Sequence, residues 1–215
     1  MSLRLMEHLV VRGSPAVVPI TVDQYLRMTS LGILREGAPI ELIDGMLLFK
    51  DRRDGPTTAM TQGPRHLFTI KRLAQLLERL LPADKFHVQQ QGPVICADDS
   101  APEPDLCVLA GKAEDYEQEL PTAAAALLAV EVAHTSLSLD QYQKCDLYGR
   151  SGIPVYWIVS LADDSVLVYS QPRSPQTGYD TRTTYHRGEP IDLMLPDTPT
   201  LTLSVDDILP SRYQP

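Results

Sequence analysis

The sequence has few cysteines, few tryptophans and no long apolar run, and each shortage excludes a class of protein. Its three cysteines, Cys96, Cys107 and Cys145, include no Cys-x-x-Cys pair, and an odd number cannot all form internal disulfides. A disulfide-stapled secreted scaffold is therefore excluded. We expect reduced thiols in a cytoplasmic protein.

No segment has the composition of a membrane span or of a signal peptide. The first residues, MSLRLMEHLVVRG, are interrupted by Arg4, Glu7 and His8 before an apolar core of signal length can form. A transmembrane helix needs about 20 mostly apolar residues in succession, and no run approaches that length. We expect no membrane association.

Positive charge is also scarce, since 19 Lys and Arg stand against 28 Asp and Glu for a formal net charge of -9. Phosphate binding depends on clustered Lys and Arg, so this balance argues against a broad, non-specific nucleic-acid coat. Positive charge gathers only in KDRRDG (50–55) and RHLFTIKR (65–72). Each segment is typical of a solvated loop or helix face, and a local basic cleft is the alternative interpretation.

The apolar patterns that are present predict one α/β domain over residues 1–215, without repeats or linkers. A capping box at Thr21 and Gln24, an Asp44-Gly45 turn and a possible glycine cap at Gly152 mark three of the boundaries. Helices are predicted over about 22–30, between Pro64 and Pro82, and from Ser138 to near Gly152; strands are predicted over 40–50 (a hairpin), 86–95, 105–110, 127–134, 155–159, a hairpin turning at 163–164, and 178–203.

One carboxylate, Glu131, stands in the middle of the apolar run LLAVEVAH (127–134). Burying a lone charge costs several kcal/mol, roughly, unless it is paired or binds a metal. Asp105 begins an earlier predicted strand and could lie beside Glu131, and paired carboxylates suit a hard cation such as Mg²⁺, with the Val132 backbone carbonyl as a further ligand. The alternative is that Glu131 faces solvent at a strand edge and Asp105 caps a turn.

A phosphate-hydrolysing site of this kind also needs a lysine. The usual position, two residues after the glutamate, holds Ala133, so Lys144 in the following helix is the candidate. The alternative is an exposed pair of Lys144 with Asp140 at i,i+4 spacing, worth a few tenths of a kcal/mol, roughly.

Several motifs follow one another along the chain: ELIDG (41–45), His66, Pro104-Asp105, Glu131-Val132, Lys144 with Tyr148, and GIPVYWIV. In this order they resemble the Uma family of "putative restriction endonucleases" in the PD-(D/E)XK nuclease superfamily. The resemblance covers roughly residues 20–170. It implies a restriction-endonuclease-like α/β fold, with a central mixed sheet flanked by helices, and a symmetric homodimer.

The resemblance also implies roles for single residues. Asp105, Glu131, the Val132 carbonyl and Glu41 would hold Mg²⁺ or Mn²⁺, and Lys144 would position water or stabilise charge. His66 would approach the site and Asp140 would orient Lys144. Without the resemblance, Glu41 beside a hairpin turn is more typical of a solvated acid, and a lone histidine such as His66 of a polar surface group.

We therefore expect a Mg²⁺-dependent endonuclease that hydrolyses phosphodiester bonds in DNA. A non-catalytic binding or regulatory protein on the same fold is the alternative, because the lysine is displaced and a fold does not imply a function. A hydrolase of another phosphoester is a weaker third candidate.

Overall fold

The structure is a computed structural model that describes residues 17–35, 37–50, 63–133, 139–176 and 178–212, with backbone alone at 139–141. Most of the KDRRDG segment, Ser138 and the Asp140 side chain lie outside this part of the chain.

Four α-helices and one short 3₁₀ helix are found in the described residues: α1 Val22–Ser30, α2 Pro64–Leu80, α3 Leu139–Arg150, α4 Val205–Ile208 and the 3₁₀ helix Ala113–Tyr116. The Thr21 side chain accepts a hydrogen bond from the Gln24 backbone N–H, and the Gln24 side chain accepts one from Thr21 N–H, so the predicted capping box begins α1. Pro64 is the first residue of α2, where its missing N–H costs nothing. The three predicted helices are confirmed.

Within the described ranges, ten strands form three sheets: β1 Ile40–Ile43, β2 Met46–Phe49, β3 Phe86–Gln90, β4 Leu106–Ala110, β5 Ala126–Ala133, β6 Val155–Ser160, β7 Ser165–Pro172, β8 Tyr179–His186, β9 Pro190–Leu193 and β10 Leu201–Ser204. The central sheet has six strands in the order β3-β4-β5-β6-β7-β8, and β1-β2 and β9-β10 are separate hairpins. The β5-β6 pair is parallel, with α3 as its crossover, and the other neighbours are antiparallel. The predicted central mixed sheet flanked by helices is confirmed.

Apolar residues cover both faces of the central sheet. Val130 and Val132 of β5 pack in the core that contains α2, whereas Ala129 and Ala133 pack in the core that contains α3. Because successive strand residues point to opposite faces, Glu131 lies between these two alanines on the α3 side. The small alanine side chains leave room there for long side chains from α3.

The aromatic residues Tyr156 and Trp157 of β6 belong to opposite faces of the same sheet. Both are fully buried, as predicted from their apolar strand. The three cysteines are free thiols. Of the helices in the described residues, none combines the length and the apolar composition that a membrane span requires.

The β1-β2 hairpin is hydrogen-bonded to the 98–101 segment, which precedes β4. Its turn places Asp44 and Gly45 at φ 51° and 73°, in the left-handed region. The Ala101 N–H donates to the Leu42 carbonyl at 2.8 Å, and the Gly45 N–H donates to the Asp99 carbonyl at 2.8 Å. These bonds hold β1, and with it Glu41, against the end of the central sheet.

Candidate active site

Asp105 and Glu131 come from neighbouring antiparallel strands, as predicted. Asp105 immediately precedes β4, whose Leu106 pairs with Val130 of β5. The Asp105 Oδ2 accepts a hydrogen bond from the Val132 backbone N–H at 2.9 Å. Glu131 is only 12% exposed. The alternative of a solvent-facing Glu131 and a turn-capping Asp105 is therefore wrong.

Lys144 of α3 connects two of the predicted acids. Its Nζ lies 2.9 Å from Glu131 Oε1 and 3.1 Å from Glu41 Oε2, and its side chain is 9% exposed. The alternative of an exposed surface lysine is wrong, because the crossover from β5 turns this face of α3 back onto the sheet. The contribution of Asp140 stays a prediction.

Glu41 is buried, with its side chain 4% exposed. Its Oε2 accepts a second hydrogen bond from the Glu103 backbone N–H at 3.1 Å. The alternative of a solvated acid beside the turn is wrong, since the hairpin folds over the 98–103 segment and closes this side of the site.

Tyr148 belongs to the family pattern but is not among the predicted site residues. Its hydroxyl donates to Glu131 Oε1 at 3.1 Å, and the residue is fully buried. Residues four apart on a helix lie on the same face, so the Lys144 and Tyr148 spacing was a usable signal. Two donors from one face of α3 thus hold a single oxygen of Glu131.

His66, in the first turn of α2, holds Asp105 from the other side. Its Nε2 lies 2.9 Å from Asp105 Oδ2, and both side chains are 13% exposed. The alternative of a polar surface group is wrong for this histidine. An ion pair between Lys50 and Glu103, which the sequence pattern did not indicate, lies next to Glu41.

Burial and neighbouring charges shift the pKa values of the two central groups. Burial raises the pKa of Glu131 to about 7; Lys144 opposes this, whereas Asp105 and Glu41 add to it. Burial by itself would lower the pKa of Lys144, but Glu131 and Glu41 outweigh it and the pKa is raised. Lys144 is therefore an ammonium at neutral pH, and the Glu131 carboxyl keeps its proton to a higher pH than an exposed glutamate does.

The hydrogen bonds leave one oxygen of each carboxylate without a donor among the described residues. The occupied oxygens are Glu41 Oε2, Asp105 Oδ2 and Glu131 Oε1. The Val132 carbonyl points to the same side of β5 as its N–H, which is the side of Asp105. Carboxylate and carbonyl oxygens are the ligands that Mg²⁺ and Mn²⁺ prefer, so the donor set fits a hard divalent cation.

The acids are not gathered into a preformed cation cage. Among the residues that the structure describes, no group of three or more His, Cys, Asp and Glu side chains is close enough to hold a metal ion. Lys144 lies between Glu41 and Glu131 and neutralises both. A divalent cation would therefore share these acids with the lysine.

Comparison with known proteins supplies the family. A solved structure, described as a "putative nuclease belonging to DUF820 from Anabaena variabilis", is 18% identical in sequence, has a TM-score of 0.63, and its match covers 88% of this chain and 97% of that one. At this identity the likeness shows the fold. No curated protein matches the chain.

The family model of Uma2, described as "Putative restriction endonuclease", matches residues 22–206. This match extends beyond the range of the predicted resemblance at its C-terminal end and includes every residue of the candidate site. Because it spans most of the sequence, the protein belongs to the Uma2 family of putative restriction endonucleases.

Proposed function

We propose that this protein is a metal-dependent endonuclease that hydrolyses phosphodiester bonds in DNA with Mg²⁺ or Mn²⁺. The observation that carries the proposal is that one buried ammonium, Lys144, contacts both Glu41 and Glu131, while Asp105 is bound to the backbone of Val132, the next residue along β5. Family membership supports a nucleic-acid substrate. One nuclease-like domain would carry the site, acting in the cytoplasm as a homodimer.

The free oxygens of the three acids and the Val132 carbonyl would hold the cation, once the acids lie closer together than they do in the structure. When bound, the cation would supply Lewis-acid polarisation of a phosphoryl oxygen. Lys144 would offset the negative charge that develops on the phosphate, which is an electrostatic role that needs a fixed position. Tyr148 fixes Glu131, while His66 and the Val132 N–H fix Asp105, so these residues position the acids. Asp140 would orient Lys144.

A non-catalytic binding protein is the second candidate function. It is favoured by one observation, that Lys144 is engaged by two acids and so is not free to face a phosphate. The two candidates differ in whether any nucleic acid is cut.

The test is cleavage of plasmid DNA, single-stranded DNA and RNA with Mg²⁺, with Mn²⁺ and with chelator. We expect metal-dependent cleavage that Asp105→Asn and Glu131→Gln each lower by about 10² or more, as is typical for the loss of a preorganised group. Asp84→Asn is the control, because Asp84 is exposed and lies two residues before Phe86, which pairs with Ala110 at the end of β4 opposite to Asp105.

Wild-type protein that cuts no nucleic acid with either metal would contradict the nuclease proposal and favour the binding protein. Undiminished cleavage by both site variants would place the active site elsewhere.

A further inference from the structure

A cavity of about 250 Å³ lies beside the acidic site, between the end of α1 and the β1-β2 hairpin. Glu103 belongs to both features, because its side chain lines the cavity and its backbone N–H donates to Glu41. Tyr25, also in the lining, has its pKa raised to about 12 by burial and by the charges of Glu103 and Glu41. The cavity and the site thus lie within electrostatic reach of each other.

The lining of the cavity contains both polar and apolar side chains. Lys50 and Glu103 form an ion pair there, with side chains 16% and 19% exposed. They offer a hydrogen-bond donor and an acceptor side by side. Leu34 and Ile40 supply apolar wall, and Arg35 in the lining is exposed to solvent.

The charge of the lining differs from that of the whole protein. Among the lining residues that the structure describes, two are cations, Arg35 and Lys50, and one is an anion, Glu103, within a chain whose formal net charge is -9. Because Lys50 is paired with Glu103, Arg35 is the cation of this set that an anionic ligand would contact. Apolar walls with a few convergent polar groups suit a planar heterocycle, whose faces contact the walls and whose edge is hydrogen-bonded.

We propose that this cavity binds one unpaired nucleotide of the nucleic-acid strand, with the base against Leu34 and Ile40 and the phosphate at Arg35. The inference rests on the proposed function in that the same strand would continue into the acidic site. It adds a substrate class, since a strand with an unstacked nucleotide fits the cavity and a fully paired duplex does not.

Binding is measured by calorimetry in chelator, so that neither metal nor cleavage is needed. The probes are the four nucleoside 5′-monophosphates and inorganic phosphate. We expect at least one nucleotide to bind about tenfold or more tightly than inorganic phosphate. Arg35→Glu should weaken that binding about tenfold or more, as loss of a charge-assisted hydrogen bond does.

Two further variants locate the binding. Ala38 lines the cavity, so Ala38→Phe should fill part of it and abolish nucleotide binding. Arg27→Glu makes the same charge change as Arg35→Glu outside this cavity and should leave binding unaltered. Thermal unfolding confirms that each variant is folded.

The inference is overturned if no nucleotide binds, if inorganic phosphate binds equally well, or if Arg35→Glu and Arg27→Glu have the same effect. Its failure is distinguishable from failure of the nuclease proposal. Nucleotide binding without any cleavage would contradict the nuclease proposal and leave the nucleotide-binding inference standing. Cleavage by a folded Ala38→Phe protein at the wild-type rate would contradict the nucleotide-binding inference and leave the nuclease proposal standing.

Discussion

At the scale of single residues, the Lys144 ammonium neutralises two carboxylates that are almost completely buried. Without it, Glu41 and Glu131 would be buried with no cation between them, and Glu131 would have to take up a proton or remain an unpaired charge. Removing one partner of a buried ion pair typically costs about 3 to 5 kcal/mol. An exposed i,i+4 pair would cost only about 0.3 to 0.5 kcal/mol.

We therefore expect Lys144→Met to lower the free energy of unfolding in chelator by about 3 to 5 kcal/mol. If the acids hold a divalent cation, Mg²⁺ or Mn²⁺ should recover more stability in this variant than in wild type, because ligands that bind only the folded state stabilise it. Urea unfolding with and without metal measures both effects. Lys71→Met, at an exposed position of α2, is the control. A loss no larger than that of the control would show that the ion pairs contribute little.

The raised pKa of Glu131 predicts a specific dependence of stability on pH. A carboxyl whose pKa is about 7 in the folded protein and about 4.5 when unfolded keeps its proton in the folded state between these values. The unfolded state then binds fewer protons, so the contribution of Glu131 to stability is largest below pH 4.5 and is lost as the pH rises to about 7.

We expect the difference in unfolding free energy between wild type and Glu131→Gln, in chelator, to shift against wild type by up to about 1.4 kcal/mol per pH unit in this window. Denaturant unfolding from pH 4.5 to 8 measures it. A difference that is constant with pH would mean that Glu131 titrates normally.

At the scale of elements, the β1-β2 hairpin delivers Glu41 to a site otherwise built from the central sheet, α2 and α3. The hairpin depends on the close approach of its turn to Pro19. A Cβ on Gly45 would overlap the Pro19 side chain and lie 2.8 Å from its Cα, whereas a Cβ on Gly32 would meet nothing within 4 Å. The two glycines share a positive φ, of 73° and 70°.

Gly45→Ala should therefore destabilise the protein clearly more than Gly32→Ala. Both variants place an alanine at a positive φ, which costs roughly 1 to 2 kcal/mol, and only Gly45→Ala adds the steric overlap. Unfolding in urea measures the two losses, and cleavage assays should show reduced activity for Gly45→Ala alone. Equal losses for the two variants would show that Pro19 moves aside freely.

At the scale of the whole molecule, the central sheet ends at β8, which is eight residues long and pairs within the described residues with β7. Arg182, Thr183 and Thr184 in its centre are exposed. A long, uncovered edge strand can pair with a second copy. The homodimer stays a prediction, and β8 is the surface through which we expect it to form.

Sedimentation velocity should show a dimer for wild type and a monomer for the double variant Thr183→Lys with Thr184→Lys, because lysines on an edge strand oppose pairing. A wild-type monomer at all accessible concentrations would contradict the homodimer. A dimer that survives the double substitution would place the interface elsewhere.

Local patterns in the sequence determined the elements of this protein. The capping box at Thr21, the turn at Asp44-Gly45 and the apolar spacing of α2 each depend on residues a few positions apart, so they could be recognised directly. The position of Glu131 within an apolar strand likewise predicted a buried acid that needs a partner.

The tertiary structure decided which partners those acids have. Whether Lys144 pairs with a neighbour on its own helix or with Glu131 and Glu41 depends on how the β5-α3-β6 crossover turns the helix onto the sheet, and the burial of Glu41 depends on where the hairpin docks. The bond from His66 to Asp105 joins α2 to the start of β4 in the same way. Charges and hydrogen bonds act through space, so residues far apart in the chain acquire their burial, pKa values and roles only when the packed elements bring them together.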